Sequence, residues 1–186
     1  MQIDIMTGLL SGVKFLQSPH FNARPEQTNI DMIVIHGISL PPNQFGAHFI
    51  EQFFCGSLDA SLHPYFETIQ NLRVSSHLLI TREGSITQFV PFHQRAWHAG
   101  ESRFQGRAQC NDFSIGIELE GTDDTLYEKV QYEQLVAIIR VLQKAYPRIT
   151  RERVVGHSDI APGRKTDPGK SFDWRYLDCL LMAAPA

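Results

Sequence analysis

The run from Ile30 to Ile35, I-D-M-I-V-I, narrows the folds open to this chain more than any other segment. It is β-branched and nearly continuous in apolar residues, so it reads as a strand covered on both faces, ended by His36. Such a strand needs a layer on each side of its sheet. Phe45, Phe49 and Phe53 recur at helical spacing after Pro41-Pro42 and predict a short amphipathic helix ending near Gly56, with the Phe stripe in the core. Ser75 to Ile80 and Ile86 to Val90 flank Arg82-Glu83-Gly84 and read as a hairpin. Phe113 to Leu119 alternates Phe113, Ile115, Ile117 and Leu119 against Ser114, Gly116 and Glu118, the pattern of a half-exposed strand.

Leu135, Ile138, Ile139, Leu142 and Tyr146 mark one face of a long helix from about Tyr127 to the breaker Pro147. Val154-Val155 is a further short strand, and a last helix, N-capped by Asp173, runs towards Met182. Between Pro91 and Asn111 lies a long polar stretch with little periodicity, and loops of that length are often functional. The expected fold is α/β (α+β), a central mixed β-sheet flanked by helices. With 186 residues, 42% of them hydrophobic, and no repeat or linker, one domain spanning 1–186 is expected.

A formal charge of -3 and the absence of any Lys/Arg run give no footprint for nucleic acid or an anionic membrane surface. The expected partner is a small soluble molecule. Cys55, Cys110 and Cys179 form no C-x-x-C pair and leave an odd thiol in any disulfide scheme, which suits a reducing compartment and buried, inert thiols. The N-terminus carries Asp4 where a secretory signal wants positive charge, and its apolar stretch is broken by Gly and Lys14. No apolar run approaches the ~20 residues needed to span a bilayer. A cytoplasmic protein is expected, with phage proteins released by lysis as the exception.

The chemistry concentrates in V-G-H-S-D-I-A-P-G-R-K-T-D-P-G, Val155 to Gly169, where Pro162, Gly163, Pro168 and Gly169 punctuate a loop. His157 stands where a strand ends, and Asp167, ten positions on, can fold back to the same point. Three strands thus carry useful polar groups: His36, Glu118 and His157. Two imidazoles plus the Asp167 carboxylate fit a catalytic zinc site that keeps a fourth position open. Glu118, on a strand face otherwise lined by Ser and Gly, suits a general base. Lys165 can set an ammonium over an oxyanion. Each has an ordinary alternative: a structural histidine, a solvated carboxylate such as Glu120 is expected to be, a surface lysine. The residues alone leave these alternatives open.

Six motifs, in order, bear on the choice: I-V-I-H-G-I-S-L-P-P around His36, H-P-Y-F at His63 to Phe66, R-V-S-S-H-L-L-I at Arg73 to Ile80, R-A-W-H-A-G at Arg95 to Gly100, C-N-D-F-S-I-G-I-E-L-E-G at Cys110 to Gly121, and G-H-S-D-I-A-P-G-R-K-T-D-P-G-K-S-F-D-W at Gly156 to Trp174. From about Ser18 to Trp174 the chain resembles the AmpD-type zinc amidases, relatives of the peptidoglycan recognition proteins and phage lysozyme-type amidases. The resemblance implies cleavage of the lactyl amide to L-alanine in anhydro-muropeptides during cytoplasmic cell-wall recycling. It implies Zn2+ held by His36, His157 and Asp167, with Glu118 and Lys165 as the catalytic pair and Tyr65 facing the metal site. Asp167 stands where more distant relatives often carry Cys. Arg73 and Arg164 become candidates to pair with the acidic stem peptide, and Trp97 and His98 to line the sugar site. His20, His48, His77 and His93 read as structural or surface residues, and Asp159 as a holder of the loop's turn. Gly37, where Asn is expected, and Gln109, where Arg is common, depart from the pattern. An amidase acting on intact peptidoglycan, phage or secreted, and a non-catalytic muropeptide-binding module are the alternatives. The sequence is silent on assembly, and a monomer is the default.

Overall fold

The apolar run that begins at Ile30 becomes an inner strand of a six-stranded sheet. In a computed structural model, which describes residues 1–183, the sheet strands are β1 (Lys14–Phe15), β2 (Met32–Ile38), β3 (Leu78–Ile80), β4 (Ile86–Gln88), β5 (Ser114–Glu120) and β6 (Val154–Gly156). They lie in the order β6-β2-β5-β3-β4-β1. Neighbours from β6 to β3 pair in parallel, β3 and β4 form the predicted antiparallel hairpin, and β1 runs parallel to β4. The helices are α1 (Phe49–Phe54), α2 (Pro64–Ile69), α3 (Lys129–Ala145), α4 (His157–Ile160) and α5 (Trp174–Met182).

Strand alternation sorts the side chains into two layers. Ile33 and Ile35 of β2 and Ile115, Ile117 and Leu119 of β5 join one core with Leu135, Ile138, Ile139 and Leu142 of α3 and Leu177 of α5. On the other face Met32 and Val34 pack with Phe113, Cys110 and Ile160. Further along that side, Leu79 and Phe89 pack with Ile50, Phe54, Phe66 and Ile69 of α1 and α2. The side chains of β2 and β5 on the α3 face are therefore apolar, and the polar positions His36 and Glu118 fall opposite them.

Several expectations change. β2 continues through His36 to Ile38, because β5 pairs with it as far as Glu120. His157 opens the single turn α4 instead of a loop. α1 starts only at Phe49, so Phe45 lies outside it beneath the Arg82 guanidinium at 4.8 Å; Ile50 and Phe54 fill the core while Phe49 and Phe53 are half-buried against it. α3 begins after Tyr127, with Glu128 and Gln131 forming its capping box. The Pro91 to Asn111 stretch contains Gln94–Ala96, paired with Phe21–Ala23, and a hairpin of Arg103–Phe104 with Arg107–Ala108. Cys110 is buried as expected, but Cys55 is half-buried and Cys179 exposed. None of the described helices is long and apolar enough to cross a membrane.

The larger correction concerns β5, which is buried along its whole length. Its polar face is covered because Ser114 and Glu120 find backbone partners there, while Glu118 faces a cleft. Glu120, expected to be solvated, is 2% exposed; its carboxylate accepts from the Gly46 N–H at 2.7 Å and the Arg82 N–H at 3.2 Å. Removing that acceptor leaves two backbone donors without it, at a cost of about 1–3 kcal/mol. Glu120→Ala should therefore lower the urea midpoint clearly, while Glu83→Ala, at an exposed hairpin tip, should leave it near wild type.

Candidate active site

Parallel register sets the polar groups in one row. Glu118 pairs with His36 across β5 and β2, so the two side chains leave the same face at the same level. Gly156 pairs with Ile35 across β6 and β2, which brings the next residue, His157, level with His36. Asp167 arrives on the loop after α4. Its carbonyl accepts from the Ser158 N–H at 3.0 Å, and the next carbonyl, of Pro168, accepts from the Tyr127 hydroxyl at 2.9 Å.

The result is a triangle of donor atoms. Nδ1 of His36 lies 3.0 Å from Nδ1 of His157, and each lies 3.1 Å from Oδ2 of Asp167. Ligand atoms around tetrahedral zinc, with bonds of about 2.0–2.1 Å, stand about 3.3 Å apart, so the triangle needs only a slight spread. The protonation pattern fits a cation as well. His157 Nε2 lies 3.2 Å from the Ala99 carbonyl oxygen, which can only accept, so the ring proton sits there and Nδ1 turns a lone pair inward. Burial holds His36 neutral, its pKa lowered to about 4. Burial works against ionisation of Asp167, but in the metal-free triangle hydrogen bonds and charge from the two imidazoles outweigh it and keep the carboxyl below its usual range, so a proton is shared there where a bound cation would otherwise sit. Lone pairs and a carboxylate that converge this closely suit a bound divalent metal.

Glu118 is 8% exposed, and burial, followed by the Asp167 charge, pushes its carboxyl well above the ordinary carboxylate range, with Lys165 pulling the other way. Together with the triangle it floors a cleft of about 620 Å³. Its lining is apolar at Leu40, Phe53, Ile69, Leu72 and Val74 and polar at Thr122, Asp123 and Asp124. Tyr65, Trp97, His98 and Lys165 also line it. A second cleft of about 640 Å³, bounded by Lys14, Glu51, Thr87 and Glu120, contains none of the converging donors.

The arginines expected at the substrate lie elsewhere. Arg73 borders a neighbouring hollow with His20, Gln70 and Asn71. One nitrogen of Arg164 donates to the carbonyls of Ala99 at 2.7 Å and Glu101 at 2.6 Å, tying down the backbone beside His157. Trp97 lines the cleft with its Nε1 donating to Asn22 at 2.7 Å and its ring stacked on His20. His98 reaches past the cleft wall to Nε2 of His36 at 2.9 Å. Asp159 accepts from the Gly156 N–H at 2.7 Å, holding the turn as expected. His77 is fully buried, as a structural residue should be.

Two contributors escaped the sequence reading. Arg24 donates to the carbonyls of Phe92, Asn111, Asp112 and Ser114 at 2.8–3.1 Å, pinning the backbone that leads into β5. A lone arginine among 17 Lys and Arg residues carries no motif to mark it. Asn111 accepts from the N–H groups of His98 at 3.0 Å and Ala99 at 2.8 Å. Its signal was present in C-N-D, without a partner to give it meaning.

The family model for N-acetylmuramoyl-L-alanine amidase matches residues 26–170, which include every donor of the triangle. The chain belongs to the N-acetylmuramoyl-L-alanine amidase family. It is 55% identical over 175 residues to the 1,6-anhydro-N-acetylmuramyl-L-alanine amidase AmpD of Haemophilus influenzae, covering 94% of this chain and 95% of that one. A crystal structure of a selenomethionine AmpD derivative superposes with a TM-score of 0.93 at 51% identity, covering 97% of this chain and 99% of the other. The amidase AmiD from Escherichia coli, in complex with the substrate anhydro-N-acetylmuramic acid-L-Ala-D-gamma-Glu-L-Lys, matches at a TM-score of 0.61 and 32% identity, covering 87% of this chain and 62% of that one. Relatives so named, at such identity over nearly the whole chain, make this protein an N-acetylmuramoyl-L-alanine amidase.

In this amidase the backbone at Gly37 lies close against a side chain. A Cβ there would stand 2.3 Å from the Tyr127 hydroxyl oxygen, the same hydroxyl that holds the Pro168 carbonyl beside Asp167. Asparagine at 37 and tyrosine at 127 exclude each other unless something shifts. Gly37→Ala should cost about 1–3 kcal/mol by overpacking. Tyr127→Phe should cost about 1 kcal/mol by loss of its hydrogen bond. The double variant should cost less than the sum, a coupling that urea titration of all four proteins will measure.

Stability should also depend on pH. In the metal-free amidase His36 stays neutral when folded, its pKa near 4, but protonates near 6.5 when unfolded. Its contribution is complete above about pH 6.5 and is lost as pH falls towards 4, by about 3 kcal/mol for this ring. His77, which is buried, and His98, shifted the same way, add to the loss and together with His36 outweigh Glu118, whose upward shift opposes it. Denaturation midpoints of the metal-free protein should fall steadily between pH 7 and pH 4.5.

Proposed function

We propose that the protein is a zinc-dependent 1,6-anhydro-N-acetylmuramyl-L-alanine amidase acting in cytoplasmic murein recycling, with the chain forming one amidase domain. It would cut the amide between the lactyl group of (1,6-anhydro-)N-acetylmuramic acid and the L-alanine of the stem peptide. The observation that carries this reading is the triangle of His36, His157 and Asp167 at the floor of a cleft that also holds Glu118. The names of its relatives, and the anhydromuramyl tripeptide bound to AmiD, support the substrate class.

In this reading His36, His157 and Asp167 hold the metal. Zinc supplies Lewis acidity there, polarising the lactyl carbonyl and making the attacking water more acidic. Glu118 takes a proton from that water as its oxygen bonds to the carbonyl carbon. The negative charge that gathers on the carbonyl oxygen is met by the Lys165 ammonium. Glu118 then passes its proton to the alanine nitrogen as the C–N bond breaks, and the water's second proton, left on the new lactyl carboxyl, passes to the freed amine to give carboxylate and ammonium. Burial suits Glu118 to both steps, because it raises the group's affinity for the proton it must carry. Tyr65 and Trp97 flank the bound muramyl peptide. Arg164 acts through the backbone it ties rather than on the peptide.

Purified protein incubated with anhydro-muropeptide should release free stem peptide, lose that activity to a chelator and regain it with zinc. Release from intact sacculi alone would favour a wall-degrading amidase, and retention without cleavage a binding module. Glu118→Ala should lower kcat by about 10²–10⁴-fold while still binding zinc. Lys165→Ala should lower it by about 10²–10³-fold. Wild-type turnover by either variant would remove that residue from the mechanism.

A further inference from the structure

A hydrogen-bond chain leads from a backbone carbonyl to the proposed metal site, and the chemistry of each link dictates the next. The Cys110 carbonyl oxygen can only accept, so the Ser114 hydroxyl, 2.6 Å away, donates its one proton to it. Towards His98 the same hydroxyl oxygen can then only accept, which places the ring proton of His98 on Nε2, 3.1 Å away. The His98 ring lies among Ser114, His36 and His77 with no carboxylate among its hydrogen-bond partners to hold a second proton, so its Nδ1 is a lone pair. That lone pair faces Nε2 of His36 at 2.9 Å, and Nε2 of His36 must carry the proton. Nδ1 of His36 is left free to point at the centre of the triangle.

The residue after His98 does the same for the other imidazole. The Ala99 carbonyl accepts from Nε2 of His157, leaving Nδ1 of that ring free. One side chain aligns both contacts, since Oδ1 of Asn111 accepts from the backbone N–H of His98 and of Ala99. Gly116 allows the close fit: a Cβ there would lie 2.5 Å from Cγ of His98. His98 and Ala99 come from R-A-W-H-A-G, and Cys110, Asn111, Ser114 and Gly116 from C-N-D-F-S-I-G, which the catalytic reading leaves otherwise unused.

We infer that His98 and Ala99, held from behind by Ser114 and Asn111, set the tautomers of His36 and His157 so that both present Nδ1 to the metal. His98 is thus a positioning residue for the metal ligand. The inference rests on reading His36, His157 and Asp167 as a zinc site, and supporting groups of this kind typically hold 10–100-fold of metal affinity.

Long-range ¹H–¹⁵N correlation spectra of the zinc-loaded protein should show the His98 proton on Nε2. Titrations with zinc alone, against a chromophoric chelator, should find binding about 10–100-fold weaker in Ser114→Ala and His98→Leu. His98→Asn, whose Oδ1 can accept where Nδ1 stood, should recover most of that loss, which a merely space-filling role would not permit. In Ser114→Ala the His98 proton should redistribute between the two nitrogens. A His98 proton on Nδ1 in the wild-type protein, or unchanged zinc affinity in both Ser114→Ala and His98→Leu, would overturn the inference. Should a variant fail to fold, the wild-type proton position still decides. A wild-type protein that binds no zinc would defeat the metal-site reading instead, and the His98 proton can still be located in that protein.

Discussion

The parallel pairing of β5 with β2, and of β2 with β6, is the constraint on which the site depends. It stands Glu118 beside His36 and brings His157 level with both. A slip of one residue in either pairing would turn the chain by one face and send a polar group into the Ile, Leu and Val layer beneath α3. Burial on the α3 side therefore holds the register, and the register holds the chemistry. The same alternation that fills one face with Ile33, Ile35, Ile115 and Ile117 leaves the other face for His36 and Glu118.

That second face is polar yet covered, and hydrogen bonds make the cover possible. Ser114, Glu118 and Glu120 would be costly to bury without partners or a function. Ser114 and Glu120 are satisfied by backbone groups, and Glu118 faces the cleft. The segment from Trp97 to Asn111 supplies the cover, with His98 against Gly116, while Arg24 pins the carbonyls of Asn111, Asp112 and Ser114. Rigidity of this kind keeps three donor atoms about 3 Å apart on three separate segments of chain.

Much of this was legible in the sequence, in particular places. The strands at Ile30, Ser75, Ile86 and Phe113, the long helix ahead of Pro147 and the Asp173 cap all follow from local periodicity and turn chemistry, which need only near neighbours. His36, His157 and Asp167 stand out because imidazole and carboxylate beside strand ends are metal-ligand types, and they do converge. The solvated Glu120 and the half-exposed β5 were misjudged for one reason. Each reading took a polar side chain as evidence of water, when the Glu120 carboxylate finds its partners in backbone groups far away in the chain.

The sequence by itself determined the layers and the kinds of chemical group available, because alternation and side-chain chemistry are properties of short segments. Only the tertiary structure decided which nitrogen of each ring turns inward, why Gly37 must lack a side chain beside Tyr127, and which polar residues face the cleft. Hydrogen bonds have direction, and steric fit depends on tenths of an ångström. Both are settled by partners such as Cys110 for Ser114, Ala99 for His157 and Tyr127 for Gly37, of which the latter two pairs meet only once the chain has folded.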